Sequence, residues 1–303
     1  MKIQFKDLNL SSSFLFAAAL SDPDTCKLVL EIILGRKISK VNVRTEHSIM
    51  LSSDSRCVRL DVNARDEYDV NYDIESQNAD EGNIVKRSRY YQAEMDVASL
   101  APGDDFNKLP ESYVIFICSF DPFGRGLYRY TFIEQCIEDG KPLGDGTCKI
   151  FINTKGKNGD DVSKELLHFL KYYEDSTDRC VETVGDRFIA ELHNKITKLK
   201  KSREWERGYM WMTELIEREK RKGRAEGLAE GLAEGLAEGR VEGHEEGKAE
   251  AFKSMTLTFL KGKGELSLEA SKKLEEQKDL SKLEMWVKLA ADSETVAEFE
   301  HSM

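Results

Sequence analysis

The feature that most narrows what this chain can fold into is a pair of alternating runs between positions 57 and 77, "CVRLDVNARDEYDVNYDIESQ". In "CVRLDVNA", Val58, Leu60, Val62 and Ala64 fall on one side, opposed to Cys57, Arg59, Asp61 and Asn63. In "NYDIESQ", Tyr72, Ile74 and Ser76 oppose Asn71, Asp73, Glu75 and Gln77. A period of two is the mark of a β-strand, and the polar "RDEYD" between the runs reads as a loop. The chain must therefore build a sheet, and two neighbouring strands of it carry acids.

Helical patterns surround this pair. "SSSFLFAAAL" and "DPDTCKLVLEIILG" have apolar residues at helical spacing, with Asp22 or Asp24 available as caps and Gly35 as a stop. "IVKRSRYYQAEMDVASL" predicts a helix over roughly 82–100, with Ile84, Tyr91, Met95 and Ala98 near one face. "SYVIFICSF" is apolar nearly throughout, as in a strand covered on both faces. "LYRYTFIEQC" and "CKIFIN" are two further strands. This order predicts an α/β layer architecture with a mixed sheet flanked by helices, followed by a mostly helical C-terminal region.

Past "NTKGKNGDD" the pattern is almost wholly helical and contains one internal repeat, "GRAEGLAEGLAEGLAEGRVEGHEEGKAE". Seven glycines recur every fourth residue from Gly223 to Gly247. Four residues overshoot one helical turn by about 40°, so the glycines spiral around the helix and do not form a seam. They weaken it by roughly 6–7 kcal/mol relative to alanine. The expectation is a marginal helical spacer over 223–250, preceded by a helical extension over 156–222. A small tail of two or three short helices follows over 251–303. Small residues also let helix backbones approach, so self-association through the C-terminal helices is the oligomer this pattern allows.

Composition sets the outer limits. The net charge of −11 argues against a generic nucleic-acid coat, yet Arg187 to Arg224 holds twelve Lys/Arg against six Glu. In "KLKKSREWERGYMWM" bases and aromatics interleave, which suits either a solvated amphipathic helix or one that contacts phosphates. The six cysteines, at 26, 57, 118, 136, 148 and 180, form no CxxC pair and read as reduced core thiols. No run approaches the roughly 18 apolar residues of a membrane span. The N-terminus shows no signal-peptide pattern, and a cytoplasmic location is expected. The histidines at 47, 168, 193, 244 and 301 are dispersed, and "GDGTCK" lacks the spacing of a phosphate loop.

The acids admit two readings. Alternating polar residues on a hairpin ordinarily mark a solvated face, with Arg59 available to pair with Glu75 or Asp73. The register that opposes Ala64 to Tyr72, however, sets Asp61 directly across from Glu75, with Cβ atoms about 4.5–5.5 Å apart. Two like charges at that distance repel, and a divalent cation between them reverses the sign. Mg²⁺ takes hard oxygen ligands and keeps several waters, so two carboxylates suffice. Gln77, on the same face, could orient water or contact a phosphate oxygen. This is a geometry for metal-assisted phosphodiester hydrolysis.

"RLDVNARDEYDVNYDIESQ" resembles the core of the PD-(D/E)XK nuclease superfamily in a variant with E-x-Q in place of (D/E)-x-K. "LSSSFLFAAALSDPD", "RSRYYQAEMDVASL", "YVIFICSFDPFGRGLYRYTF", "IFINTKG" and the Glu-Gly repeats follow in the order of the Rpn family of recombination-promoting nucleases, also labelled transposases. The resemblance spans about 5–250. It implies a restriction-endonuclease-like core over 1–155, a Mg²⁺ cofactor and DNA as substrate. By it, Asp61 and Glu75 are the metal ligands and Gln77 the third motif position, and these three are the catalytic set. Arg87, Arg89, Tyr90 and Tyr91 fall on the family's Arg/Tyr helix, where phosphate contact or packing over the site is expected. Lys198, Lys201 and Arg203, in the stretch Lys195–Arg207, are the other expected DNA contacts. Relatives carry an acid near the start of the first helix, where this chain has Ser13, and its basic partner is also missing. The alternative from another class is a catalytically inactive remnant of a mobile-element protein that binds DNA or protein.

Overall fold

A computed structural model of the chain describes residues 3–45 and 62–303, so Asp61, Arg59, Cys57 and His47 lie outside the described residues. The chain divides into two compact units, Met1–Glu214 and Leu215–Met303.

The first unit opens with α1 (Ser13–Leu20) and α2 (Pro23–Leu34). Every residue from Phe14 to Leu20 is buried, as a helix apolar on all sides must be. Asp22 caps α2 by accepting from the Thr25 amide, and Gly35 ends it at φ 68°, a left-handed conformation that favours glycine. The strands β1 (Val41–Thr45), β2 (Val62–Asp66) and β3 (Asn71–Gln77) follow, then α3 (Ile84–Ser99), β4 (Ser112–Cys118), β5 (Arg129–Phe132) and β6 (Thr147–Asn153).

Among the described residues these strands form one six-stranded sheet in the order β1-β2-β3-β4-β6-β5. β1–β2, β2–β3 and β5–β6 are antiparallel, whereas β3–β4 and β4–β6 are parallel. The sheet is mixed because β3 and β4 are joined by a helical crossover, α3, which parallel neighbours require. This is the α/β restriction-endonuclease-like architecture that the sequence implied.

The two sheet faces are divided by the strand period of two. Tyr72, Ile74 and Ser76 point toward α1 and α4 (Lys164–Glu174): Ser76 Oγ donates to Ser11 O and shares a 2.6 Å hydrogen bond with the Tyr173 hydroxyl. The opposite face is closed by α3, where Tyr91 stacks on Phe116 and Phe116 on Phe151. At the hairpin between β2 and β3, buried Asp66 accepts from the Tyr68 and Val70 amides and from the Tyr72 hydroxyl. That carboxylate pins the turn, and the observed register opposes Ala64 to Tyr72 and Asn63 to Asp73. At Gly156 an added Cβ would run into the Tyr128 ring, so the loop after β6 accepts no side chain there.

α5 (Asp178–Val184) and α6 (Arg187–Lys200) lead into α7 (Arg203–Leu260), 58 residues long. The first turns of α7 pack Trp205 and Tyr209 on Phe14 of α1. In the second unit, α8 (Leu268–Glu276), α9 (Leu280–Asp292) and α10 (Val296–Ser302) close around Leu260, Trp286 and Phe299. Ser267, Asp279 and Thr295 cap the three short helices. Lys263 Nζ donates to the carbonyls of Ala290, Ala291 and Ser293, satisfying the end of α9. No helix among the described residues is long and apolar enough to cross a membrane.

Candidate active site

The polar side of β3 is not wet where it carries acid. Asp73 is 2% exposed and Glu75 4% exposed, so the solvated-face reading fails at both positions. The reason is tertiary. α3 crosses over β3 and β4, burying Ser88 and Gln92 on its inner side, with the Gln92 amide donating to Ser112 Oγ. Asp73 also borders a cleft of about 550 Å³ shared with Asn63, Tyr90, Tyr91, Glu94 and Met95.

One turn into α3, Arg87 reaches back onto the strand. Its Nη2 donates to Glu75 Oε2 at 2.6 Å, its Nη1 to Gln77 Oε1 at 2.9 Å, and its Nε to the Tyr91 hydroxyl at 3.2 Å. Glu81 lies 3.9 Å from the same guanidinium. The Tyr91 and Phe116 rings each lie with their centroid 5.5 Å from the guanidinium carbon, a cation–π arrangement. Burial by itself would lower the pKa of Arg87. The Glu75 charge, the bond to Tyr91 and the Glu81 charge together outweigh it, and the pKa is raised. Gln77 turns its amide nitrogen to Ala79 O at 2.7 Å, which leaves its oxygen facing Arg87. The charge-assisted fork thus ties the two E-x-Q side chains to one cation.

The structure therefore brings together Glu75, Gln77, Arg87 and Tyr91. Arg89 and Tyr90 are exposed. Two residues on from Arg87, Arg89 lies on another side of the helix and cannot join it at Glu75. Lys198, Lys201 and Arg203 are exposed at the junction of α6 and α7. Lys195 is instead tied to Asp22 at 2.8 Å and Asp24 at 3.8 Å. Ser13, where the resemblance leads an acid to be expected, begins α1 and its hydroxyl donates to Ser76 O at 3.4 Å, beside the motif strand. Asp61 lies outside the described residues.

Sequence reasoning missed two things here. It did not foresee the burial of Asp73, although the period of two sets that residue on the same face as Glu75. It also treated Arg87 as a phosphate or packing residue, with no signal that it would bind both members of the motif. Among the described residues no three His, Cys, Asp or Glu side chains gather as a metal site. His168 and His193 serve instead in contacts with Asp186 and with Tyr172 and Asp178. The five described cysteines are free, and only Cys136 of these is exposed.

Against known proteins, no curated protein and no solved structure matches this chain. A family model does, that of the PD-(D/E)XK nuclease family transposase, over residues 15–126. The matched segment runs from α1 past β4 and contains Glu75, Gln77 and Arg87, while β5, β6 and the helical C-terminal region lie beyond it. With its mixed sheet and a buried E-x-Q strand beneath a crossover helix, the segment 15–126, about a third of the chain, is similar to the PD-(D/E)XK nuclease family transposase.

Proposed function

We propose that this chain is a Mg²⁺-dependent DNA endonuclease of the Rpn type, acting in recombination or for a mobile element in the cytoplasm. The observation that carries the reading is the β2–β3 register, Ala64 opposite Tyr72, together with the burial of Glu75 on the same polar face. The expectation that Asp61 opposes Glu75 is read from the sequence on that register, and Asp61 itself lies outside the described residues. The match to the family model supports the nuclease character, and nucleases of this superfamily typically use divalent metal ions.

Glu75, Gln77 and Asp61 offer oxygen donors only, which suits a small hard cation better than a soft one. Asp61 and Glu75 would hold the ion. When bound, it would polarise the scissile phosphate and lower the pKa of water. The chain's own side chains do the rest: Gln77 orients water or a phosphate oxygen, and α3 keeps Glu75 out of bulk solvent. The exposed Lys198, Lys201 and Arg203 draw the DNA backbone, a contact that weakens as salt rises.

The test is a plasmid-nicking assay in Mg²⁺ and in EDTA with wild type, Asp61→Ala and Glu75→Ala. The expected outcome is Mg²⁺-dependent nicking that both substitutions abolish. Cleavage that survives both would refute the assignment. A second reading, an inactive DNA- or protein-binding remnant, is favoured by the serine at position 13 and by the guanidinium already bound to Glu75. It predicts salt-sensitive DNA retention on filters with no cleavage under any metal.

A further inference from the structure

Resting on the nuclease reading, we infer that Arg87 is a positioning residue that holds Glu75 and Gln77 together in the ion-free site and competes with the divalent ion for Glu75. A carboxylate as buried as Glu75 needs a counter-charge, and a guanidinium 2.6 Å from its Oε2 supplies one. The same guanidinium reaches Gln77 Oε1 at 2.9 Å, so one planar fork fixes the spacing of both motif side chains. Its packing against the stacked Tyr91 and Phe116 rings and its bond to the Tyr91 hydroxyl hold the fork in this direction.

This arrangement has a consequence for any cation that arrives at Glu75. The ion meets a ligand already neutralised by Arg87, and the two positive charges repel at short range in a site shielded from water. Binding therefore has to displace the guanidinium from Oε2 or share the carboxylate with it. Arg87 keeps the acids ordered when the ion is absent and weakens the ion's hold. A purely structural Arg87 would have the reverse effect, since its loss would disorder Glu75 and weaken ion binding. The sign of the change separates the two roles.

The experiment measures Mn²⁺ binding to the full-length chain by calorimetry for wild type, Arg87→Gln and Glu75→Gln, with a thermal melt of each as a folding control. Arg87→Gln should bind Mn²⁺ at least about tenfold more tightly, the low end of the effect of one neighbouring cation on a carboxylate. It should nevertheless cleave DNA more slowly, while Glu75→Gln loses binding. Equal or weaker binding by folded Arg87→Gln overturns the inference and leaves the nuclease reading standing. Absence of binding by every variant, wild type included, overturns both. Should Arg87→Gln not fold, nitrogen NMR of the wild-type arginine Nε–H groups decides the matter. The Arg87 signal, assigned by its loss in Arg87→Lys, should shift and broaden on Mg²⁺ titration, and a signal unmoved at saturation overturns the inference.

Discussion

The glycine repeat offers a perturbation whose magnitude follows from the structure. At Gly223, Gly227, Gly231, Gly235, Gly239, Gly243 and Gly247 an added Cβ would meet nothing within 4 Å, and none of the seven has a positive φ. Leu228, Leu232 and Leu236 between them are exposed. Alanine at these sites therefore brings no clash, and its whole effect is on backbone entropy, about 0.8–1.0 kcal/mol per site. Replacing Gly227, Gly231, Gly235 and Gly239 together should stabilise that stretch of α7 by about 3–4 kcal/mol. At a factor of ten for each 1.4 kcal/mol, amides that exchange by opening the stretch should slow by about two to three orders of magnitude. Hydrogen exchange with mass spectrometry on peptides from 223–247 reads this directly. Unchanged or faster exchange in the quadruple variant would refute the reasoning. It would mean that the glycines are needed for close approach of another backbone, and that the repeat is a packed helix, not a spacer.

Two further outcomes can be checked independently. Asp22 accepts from the Thr25 amide and from Lys195 Nζ. Its burial acts to raise its pKa, but Lys195 and Thr25 hold it below 3.8. A depressed folded pKa gives stability that is present above the unfolded value and lost as pH falls through the folded one. Asp22→Ala should therefore cost about 1–2 kcal/mol at pH 7 through the lost cap, and the gap from wild type should close below pH 3.8; an equal gap at pH 3 and pH 7 would contradict it. Burial pushes the Cys26 and Cys118 thiols up to about 12, while Cys136 is exposed. Alkylation at mildly alkaline pH, mapped by peptide mass, should label Cys136 and spare the other two. Labelling of Cys118 ahead of Cys136 would show that β4 opens.

The sequence by itself determined what is local. The alternation in "NYDIESQ" fixed a strand and set Asp73, Glu75 and Gln77 on one side of it, because successive side chains point to opposite faces. Asp22 and Gly35 fixed the ends of α2 because their chemistry acts within one turn of helix. Alternation alone allowed any register of even index sum, and the sheet adopts the one that opposes Ala64 to Tyr72. Tertiary structure alone decided which face would be dry. Polar alternation looks the same whether water or a helix covers it, and it is α3, packed on β4 and tied to β3 through Arg87, that covers Asp73 and Glu75. It also decided the partner of the motif. Arg87 lies twelve residues from Glu75, and no periodicity relates the last turn of a strand to the first turn of the following helix. Where those elements cross is set by packing, here by the stacking of Tyr91 on Phe116. That contact brings the guanidinium to the carboxylate.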